Sequence, residues 1–260
     1  MNQPFKYTLP VLALMMFLFS CQKSFPDQYN TTTTTTPDKV KRYTEVVNNF
    51  STISGDTFNV MYDNTDRLIS LISPTTGNQF LYTYNGNTSY ALDIKNGVHL
   101  VIHGVFYVNA NLLIDSSFQY NDTNDSTTMK FVYNTSKQLV EQRAYNYTRA
   151  AGAVLFRKNS YLYDTDGNVL KETESGAAGG VNYVKSYTYT SVTATTFSLT
   201  TIYTPVLHKK LPATTSLYYP GSNITVSSTY AYVYDAAGRV TKETQTNSAN
   251  NFVTKRFEYY

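Results

Sequence analysis

The chain has 260 residues, with 21 Lys+Arg against 18 Asp+Glu, one Cys, no Trp, 25 Tyr and 14 Phe. A single cysteine excludes a disulfide framework and a thiolate metal cluster, and a net charge of +3 is too small for the basic stripe of a nucleic-acid protein. Charged residues make up 15%, well under the roughly 25% of an ordinary soluble domain, and the Tyr, Thr, Asn and Ser in their place leave few general acids, bases or nucleophile partners.

Lys6 supplies a positive n-region, Leu9 to Phe19 an apolar h-region broken by Pro10, and Leu18-Phe19-Ser20-Cys21 closes the segment. The apolar run is shorter than the roughly 20 residues of a transmembrane helix and reads as removable. It resembles a bacterial lipoprotein signal peptide: Leu18 and Ser20 match the lipobox, and Phe19 is bulkier than the usual residue at its place. The resemblance implies that residues 1–20 are removed and that Cys21 becomes an acylated N-terminus. At about 0.8 kcal/mol per buried methylene, two or three acyl chains hold a protein to a membrane durably. Gln22 stands where an Asp would, by the same resemblance, favour inner-membrane retention. The implied address is the outer membrane, with its periplasmic and cell-surface faces both open.

Residues 21–42 combine the cysteine with Pro26, the threonine run Thr31 to Thr36 and Pro37, a composition that buries no core and reads as a solvated tether. Residues 43–260 form the folded domain. Their pattern has period 2 throughout: Tyr183, Lys185, Tyr187 and Tyr189 share one strand face, and so do Tyr230, Tyr232 and Tyr234. Turn clusters such as Pro74 to Asn78, Ser175 to Gly180 and Pro220 to Asn223 separate the runs. At about 13 residues per strand and turn, the domain holds about 16 strands, an all-β antiparallel up-and-down meander. The expected form is a curled open sheet or incomplete barrel, monomeric, with its concave face as the contact surface.

One template recurs at Tyr62-Asp63-Asn64-Thr65-Asp66-Arg67-Leu68, Tyr133-Asn134-Thr135-Ser136-Lys137-Gln138-Leu139, Tyr163-Asp164-Thr165-Asp166-Gly167-Asn168-Val169 and Tyr234-Asp235-Ala236-Ala237-Gly238-Arg239-Val240. It resembles the YD repeats of RHS-like bacterial cell-surface proteins, and the last copy matches that family's form at every position. An Asp or Asn after the aromatic accepts backbone N–H groups, and Gly167 or Gly238 supplies the positive φ that tightens a hairpin. Asp66 and Lys137 suit that conformation less well, so their turns are expected to be looser or of another type. An offset of 101 residues superposes the first pair of copies on the second, which suggests a duplication. Tyr82-Thr83-Tyr84, Tyr145-Asn146-Tyr147, Tyr187-Thr188-Tyr189 and Phe257 to Tyr260 read as second strands of hairpins.

Candidate chemistry is sparse. His99 and His103 stand four apart on one strand without a third ligand, and are better read as histidines hydrogen-bonded in the sheet than as a metal site. His208 reads as a loop residue without a partner. Asp164 to Asn168 and Asp122 to Asp125 look like calcium-loop fragments but lack a distal bidentate acid, and hairpin turns explain them. Glu172, Glu174 and Glu243 alternate with Lys and Thr in the manner of an exposed strand. The tyrosines can stack on sugars, although cross-strand ladders explain most of them. No metal, cofactor or catalytic residue is assigned.

The sequence therefore points to a lipid-anchored extracytoplasmic binding or structural module, with the membrane, a glycan or an envelope protein as partner. The rivals are an envelope glycan hydrolase whose carboxylates converge on the concave face, and an outer-membrane barrel. The barrel is disfavoured because the strands carry Thr, Lys and Asn on both faces.

Overall fold

The computed structural model describes residues 39–49, 52–121, 126–148, 152–193 and 208–260. The signal segment, Cys21, the threonine run and Asp122 to Asp125 lie outside the described residues. Sixteen strands follow one another: β1 Val40–Asn49, β2 Thr52–Tyr62, β3 Leu68–Ile72, β4 Asn78–Asn85, β5 Ser89–Asn96, β6 His99–Val108, β7 Ile114–Asn121 and β8 Ser126–Tyr133, then β9 Leu139–Thr148, β10 Gly152–Tyr163, β11 Val169–Gly176, β12 Val181–Thr193, β13 Lys210–Tyr219, β14 Ile224–Tyr234, β15 Val240–Asn247 and β16 Phe252–Tyr259. β1 begins inside the stretch read as tether.

The strand count and the antiparallel meander are as expected; the open sheet is not. β1 pairs with β16 from Val40↔Tyr259 to Asn48↔Phe252, and the sixteen strands close into a barrel. Closure removes both sheet edges, whose unpaired N–H and C=O groups would otherwise template aggregation. The seam is zipped to its end, where the Tyr260 N–H donates to the Lys39 carbonyl at 3.1 Å.

All four repeat turns share one geometry. In each, the N–H of the Asp or Asn donates to the carbonyl four residues on, and the N–H of the third residue after it donates back. The side chain then caps the loop: Asp63, Asn134, Asp164 and Asp235 accept the N–H of Arg67, Gln138, Asn168 and Arg239 at 2.8–2.9 Å. The positive φ falls at Asp66, Lys137, Gly167 and Gly238. Asp66 and Lys137 thus sit in the same tight turn as the glycines, because the Asx cap and the flanking ladder outweigh the roughly 1–2 kcal/mol cost of that conformation. The aromatic pairs with the aliphatic six residues later in every case, across a bulge.

Two further turns have the same form without the aromatic-Asp signature. Asn109 caps Leu113 N–H with Leu112 at φ 59°, and Asn247 caps Asn251 N–H with Asn250 at φ 62°. The 101-residue offset does not correspond to a structural repeat. Among the described residues it takes β2 to β10, eight strands on, but β8 to β14, six strands on. Tyr82 and Tyr84 on β4, Tyr187 and Tyr189 on β12, and Phe257 and Tyr259 on β16 belong to the strand after each hairpin, while Tyr145 and Tyr147 are on β9, the second strand of theirs.

The lumen has two halves. On β1 to β9 most inward residues, Glu45 of β1 excepted, belong to a dry cluster that includes Tyr43, Phe58, Leu92, Phe106 and Phe131 and extends to Tyr161 and Val169 on β10 and β11. Phe106 is 0% exposed and stacks on Tyr90 at 4.8 Å, and Phe58 meets Phe80 edge-on at 5.7 Å. A sixteen-stranded porin of circular section holds a water channel; here side chains fill that side of the lumen. On β10 to β16 the inward positions carry Glu, Lys, Tyr, Asn and Thr instead.

Candidate functional site: the polar half of the lumen

Strand register brings the charges together. Glu45 pairs with Lys255, which pairs on its other side with Glu243, and Glu243 pairs with Tyr232. A second inward row runs Tyr161, Glu172, Lys185. Glu172, Glu174 and Glu243 therefore do not belong to an exposed face: period 2 sends one set of side chains inward, and these lie on it. Glu243 is 6% exposed and accepts a hydrogen bond from Lys255 Nζ at 3.2 Å. Glu174 stands 3.9 Å from Arg157.

Glu172 is held by three donors. Tyr183 Oη reaches Oε1 at 2.8 Å, Asn159 Nδ2 reaches it at 2.9 Å, and Tyr187 Oη reaches Oε2 at 3.3 Å. Glu45 is held by one, Tyr43 Oη at 2.5 Å to Oε2, while its Oε1 and the Tyr161 hydroxyl are buried without any hydrogen-bond partner. Burial pushes the Glu45 carboxyl up, against the opposing pull of Lys255 and Tyr43. Burial also pushes Lys185 down, against the pull of Glu172. In Lys255 the attraction of Glu243 and Glu45 outweighs desolvation, so its ammonium is strengthened.

Although Glu172, Tyr183, Lys185, Tyr187, Tyr230 and Tyr232 point into the lumen, each remains only half-buried. Inward side chains with residual accessible surface border a space that a water molecule can enter. Ser117 and Gln119, on the dry side, also carry unpartnered buried atoms, but they are embedded beside Phe106 and Met129.

His208, expected to stand alone, lies against the barrel end. Its Nδ1 is 2.6 Å from Tyr189 Oη, and its ring packs on Tyr187 and Tyr189 at 5.0 and 5.6 Å. Desolvation, with the Lys185 charge, pushes it down to about 3, so it is neutral. Tyr189 donates its own proton to the Val169 carbonyl at 2.5 Å, which leaves the imidazole N–H as donor to the phenol oxygen. His99 and His103 do not act as a pair. A bulge falls between them, His99 is exposed, and His103 points outward to Asp93 with Nδ1 2.6 Å from Oδ1. No group of three metal-ligating side chains occurs among the described residues.

The repeat tyrosines have a structural task. Tyr62 is hydrogen-bonded to the backbone of Val40, and Tyr133 and Tyr163 donate their hydroxyls to the carbonyls of Ile114 and Leu139, each the opening residue of the strand before their own. Tyr84, Tyr189 and Tyr259 donate likewise to the carbonyls of Leu68, Val169 and Val240, and Tyr232 to that of Pro212, the third residue of β13. Seven of the eight even-numbered strands are stapled in this way at the repeat-turn end. Burial pushes the Tyr84 phenol up to about 12, against the pull of Arg67. Tyr234 is instead part of the exposed rim.

No family model and no curated protein matches the sequence. Among solved structures the chain is similar to a porin-like protein from Bacteroides uniformis, with a TM-score of 0.62 and 13% identity over 86% of this chain and 99% of that one. A porin-like protein from Bacteroides vulgatus matches with a TM-score of 0.60 and 10% identity over the same shares. The fold is that of a porin-like barrel. At these identities the likeness extends to the fold alone.

The outer wall is unlike a lipid-facing one. Outward rows read Thr44, Arg256, Lys242; then Ser116, Lys130, Arg143, Lys158; then Lys171, Ser186, Ser216, Ser227. Apolar residues also face outward, at Tyr107, Phe118 and Tyr120 on β6 and β7 and singly on other strands, as at Met61, Val132, Leu162 and Val233.

Proposed function

We propose that this chain is a lipid-tethered barrel of the bacterial outer membrane that stands in water and serves as a binding or structural module without catalysis. The polar outer wall carries the reading. A Lys or Arg on the lipid face at the bilayer midplane costs about 2–4 kcal/mol, and cationic residues recur in the middle of the outward rows. Attachment then falls to the acylated Cys21 and the threonine-rich tether. The shared turn geometry supports treating the hairpins as YD repeats. The inward carboxylates are engaged by Lys, Arg, Tyr and Asn, which supports binding, of a glycan or an envelope protein, over hydrolysis.

Cys21→Ala in the full chain should move the protein from the membrane to the soluble fraction with its β-sheet circular dichroism intact. If the variant stays in the membrane through carbonate washing, the barrel itself is inserted, and the tethered reading falls.

A further inference from the structure

We infer that the free edge of β10, from Gly152 to Phe156, is a self-association site at which a second copy of this chain adds its own β10 as an antiparallel neighbour. A pair replaces the monomer expected from the sequence, and the inference does not depend on the tether.

At the rim away from the repeat turns, three strands outrun the strand that follows them. β2 begins at Thr52 but meets β3 only from Asn59, β10 begins at Gly152 but meets β11 only from Arg157, and β14 begins at Ile224 but meets β15 only from Ser228. Each leaves backbone N–H and C=O groups turned to an open side, a template for a further strand. Two of these edges are covered. The Asp56 carboxylate on β2 takes the side chains of Ser73, Thr76 and Asn78, which holds the β3–β4 turn beside it, and the Ser227 carbonyl on β14 accepts the Ser248 N–H at 2.7 Å.

The β10 edge has no such cover. Among the described residues only β9 pairs with Gly152–Phe156, and no turn donates to that stretch or accepts from it. A Cβ placed at Gly152, or at Gly179 or Gly180 in the turn after β11, would meet nothing within 4 Å. The usual guards are missing as well: the stretch holds no charge and no proline, Val154 is 43% exposed, and Tyr147, opposite Ala153 on β9, is 63% exposed. Soluble β proteins blunt an apolar edge of this kind with Lys, Pro or a covering loop.

The residues of the edge select the partner. Set antiparallel about Val154, Gly152 falls opposite Phe156 of the partner subunit, Ala153 opposite Leu155 of the partner subunit, and Val154 opposite the partner's Val154. Each large side chain meets a small one or its equal, and no charge opposes a like charge, because Arg157 and Lys158 lie beyond the paired stretch. Two-fold symmetry makes each unlike contact twice. The strands run in opposite directions, so the barrels meet mouth to mouth with their repeat-turn rims at the far ends. The pair joins copies whose tethers leave in opposite directions, not neighbours upright on one bilayer.

The test is sedimentation equilibrium of the full chain in detergent, beside Val154→Lys and Val154→Glu. The parent should dimerise. Each variant, with like charges facing across the axis, should associate about tenfold more weakly or worse, and an equimolar mixture of the two should recover a dimer. In a Cys21→Ala background, where residue 154 is the only thiol, Val154→Cys oxidised with copper phenanthroline should run as a covalent dimer on a non-reducing gel; Leu162→Cys, on the same strand and 61% exposed at the parent residue, should not. The inference is overturned if the parent is monomeric, if Val154→Lys associates as well as the parent, if the mixture stays monomeric, or if Leu162→Cys cross-links as fully as Val154→Cys. Membrane fractionation of Cys21→Ala is unaffected by any of these results, so failure of the edge and failure of the tether are told apart.

Discussion

The two halves of the lumen use the same strand geometry for opposite ends. On β1 to β9, most inward residues are large and apolar, and their rings meet within 4.8–6.3 Å. On β10 to β16, the same inward positions hold acids, lysines and phenols in mutual hydrogen bonds. Apolar burial at about 25 cal/mol per Å² stabilises the fold, whereas buried ion pairs contribute little net stability. One half therefore carries the stability, and the other holds its polar groups in place at small net gain.

The contrast is open to direct attack. Phe106→Ala in the dry half should cost about 3–5 kcal/mol in urea unfolding, since its neighbours cannot collapse into the space. If the loss is under 1 kcal/mol, that half is not packed as a core. In the polar half, Lys255→Met should cost about 3–5 kcal/mol, because it strands two carboxylates in the interior. Replacing Lys255, Glu45 and Glu243 together by apolar residues of similar size should restore most of the loss.

Acidity sharpens the comparison further. Glu45 has a raised pKa when folded, so it binds its proton more tightly in the native state. Its contribution is fully present below the unfolded value and is lost as pH rises through the folded one. Glu45→Gln should flatten that decline in a series of melts. Asp63, a turn cap, behaves in the opposite sense: desolvation pushes it up, but hydrogen bonds from Arg67 and Thr65 prevail and hold it at about 2. Its contribution is present above the ordinary carboxylate range and disappears as pH falls toward 2, and Asp63→Asn should remove that acid limb. The smallest effect belongs to the turns common to both halves. Lys137→Gly relieves a positive φ of 61° and should raise stability by about 1 kcal/mol, or roughly 2–4 °C in melting temperature.

Strand number and the capped turns were legible because both are local: period-2 patterning gives strands, and an Asx residue with a positive-φ position four residues after the aromatic gives the hairpin. The turns at Asn109 and Asn247 escaped because Val108 and Thr246 stand where the template has Tyr; the Asn with its spacing to Leu113 and Asn251 was the available signal. Closure was not legible, since the pairing of β1 with β16 joins residues some 200 apart in sequence, which no window of sequence contains. The inward turn of Glu172 and Glu243 was hidden for a related reason. Lys-Glu-Thr alternation looks the same whichever face is wet, and only the neighbours across the ladder, Tyr161 and Lys185 for Glu172, assign it. Lys185 lay among Tyr183, Tyr187 and Tyr189 on one face, a grouping that survives in the barrel as part of the polar wall.

The seam between Lys39 and Tyr260 gives the molecule an orientation. Lys39, the first described residue, and Tyr260 both lie at the rim that carries the repeat turns, beside the hydrogen bond between Tyr62 and Val40. A cysteine anchored upstream of Lys39 would pull that rim toward the bilayer and turn the opposite mouth, with Tyr183 and Tyr219, away from it. The barrel would then stand like a cup on its stem, base down, its opening presented to whatever diffuses past the membrane.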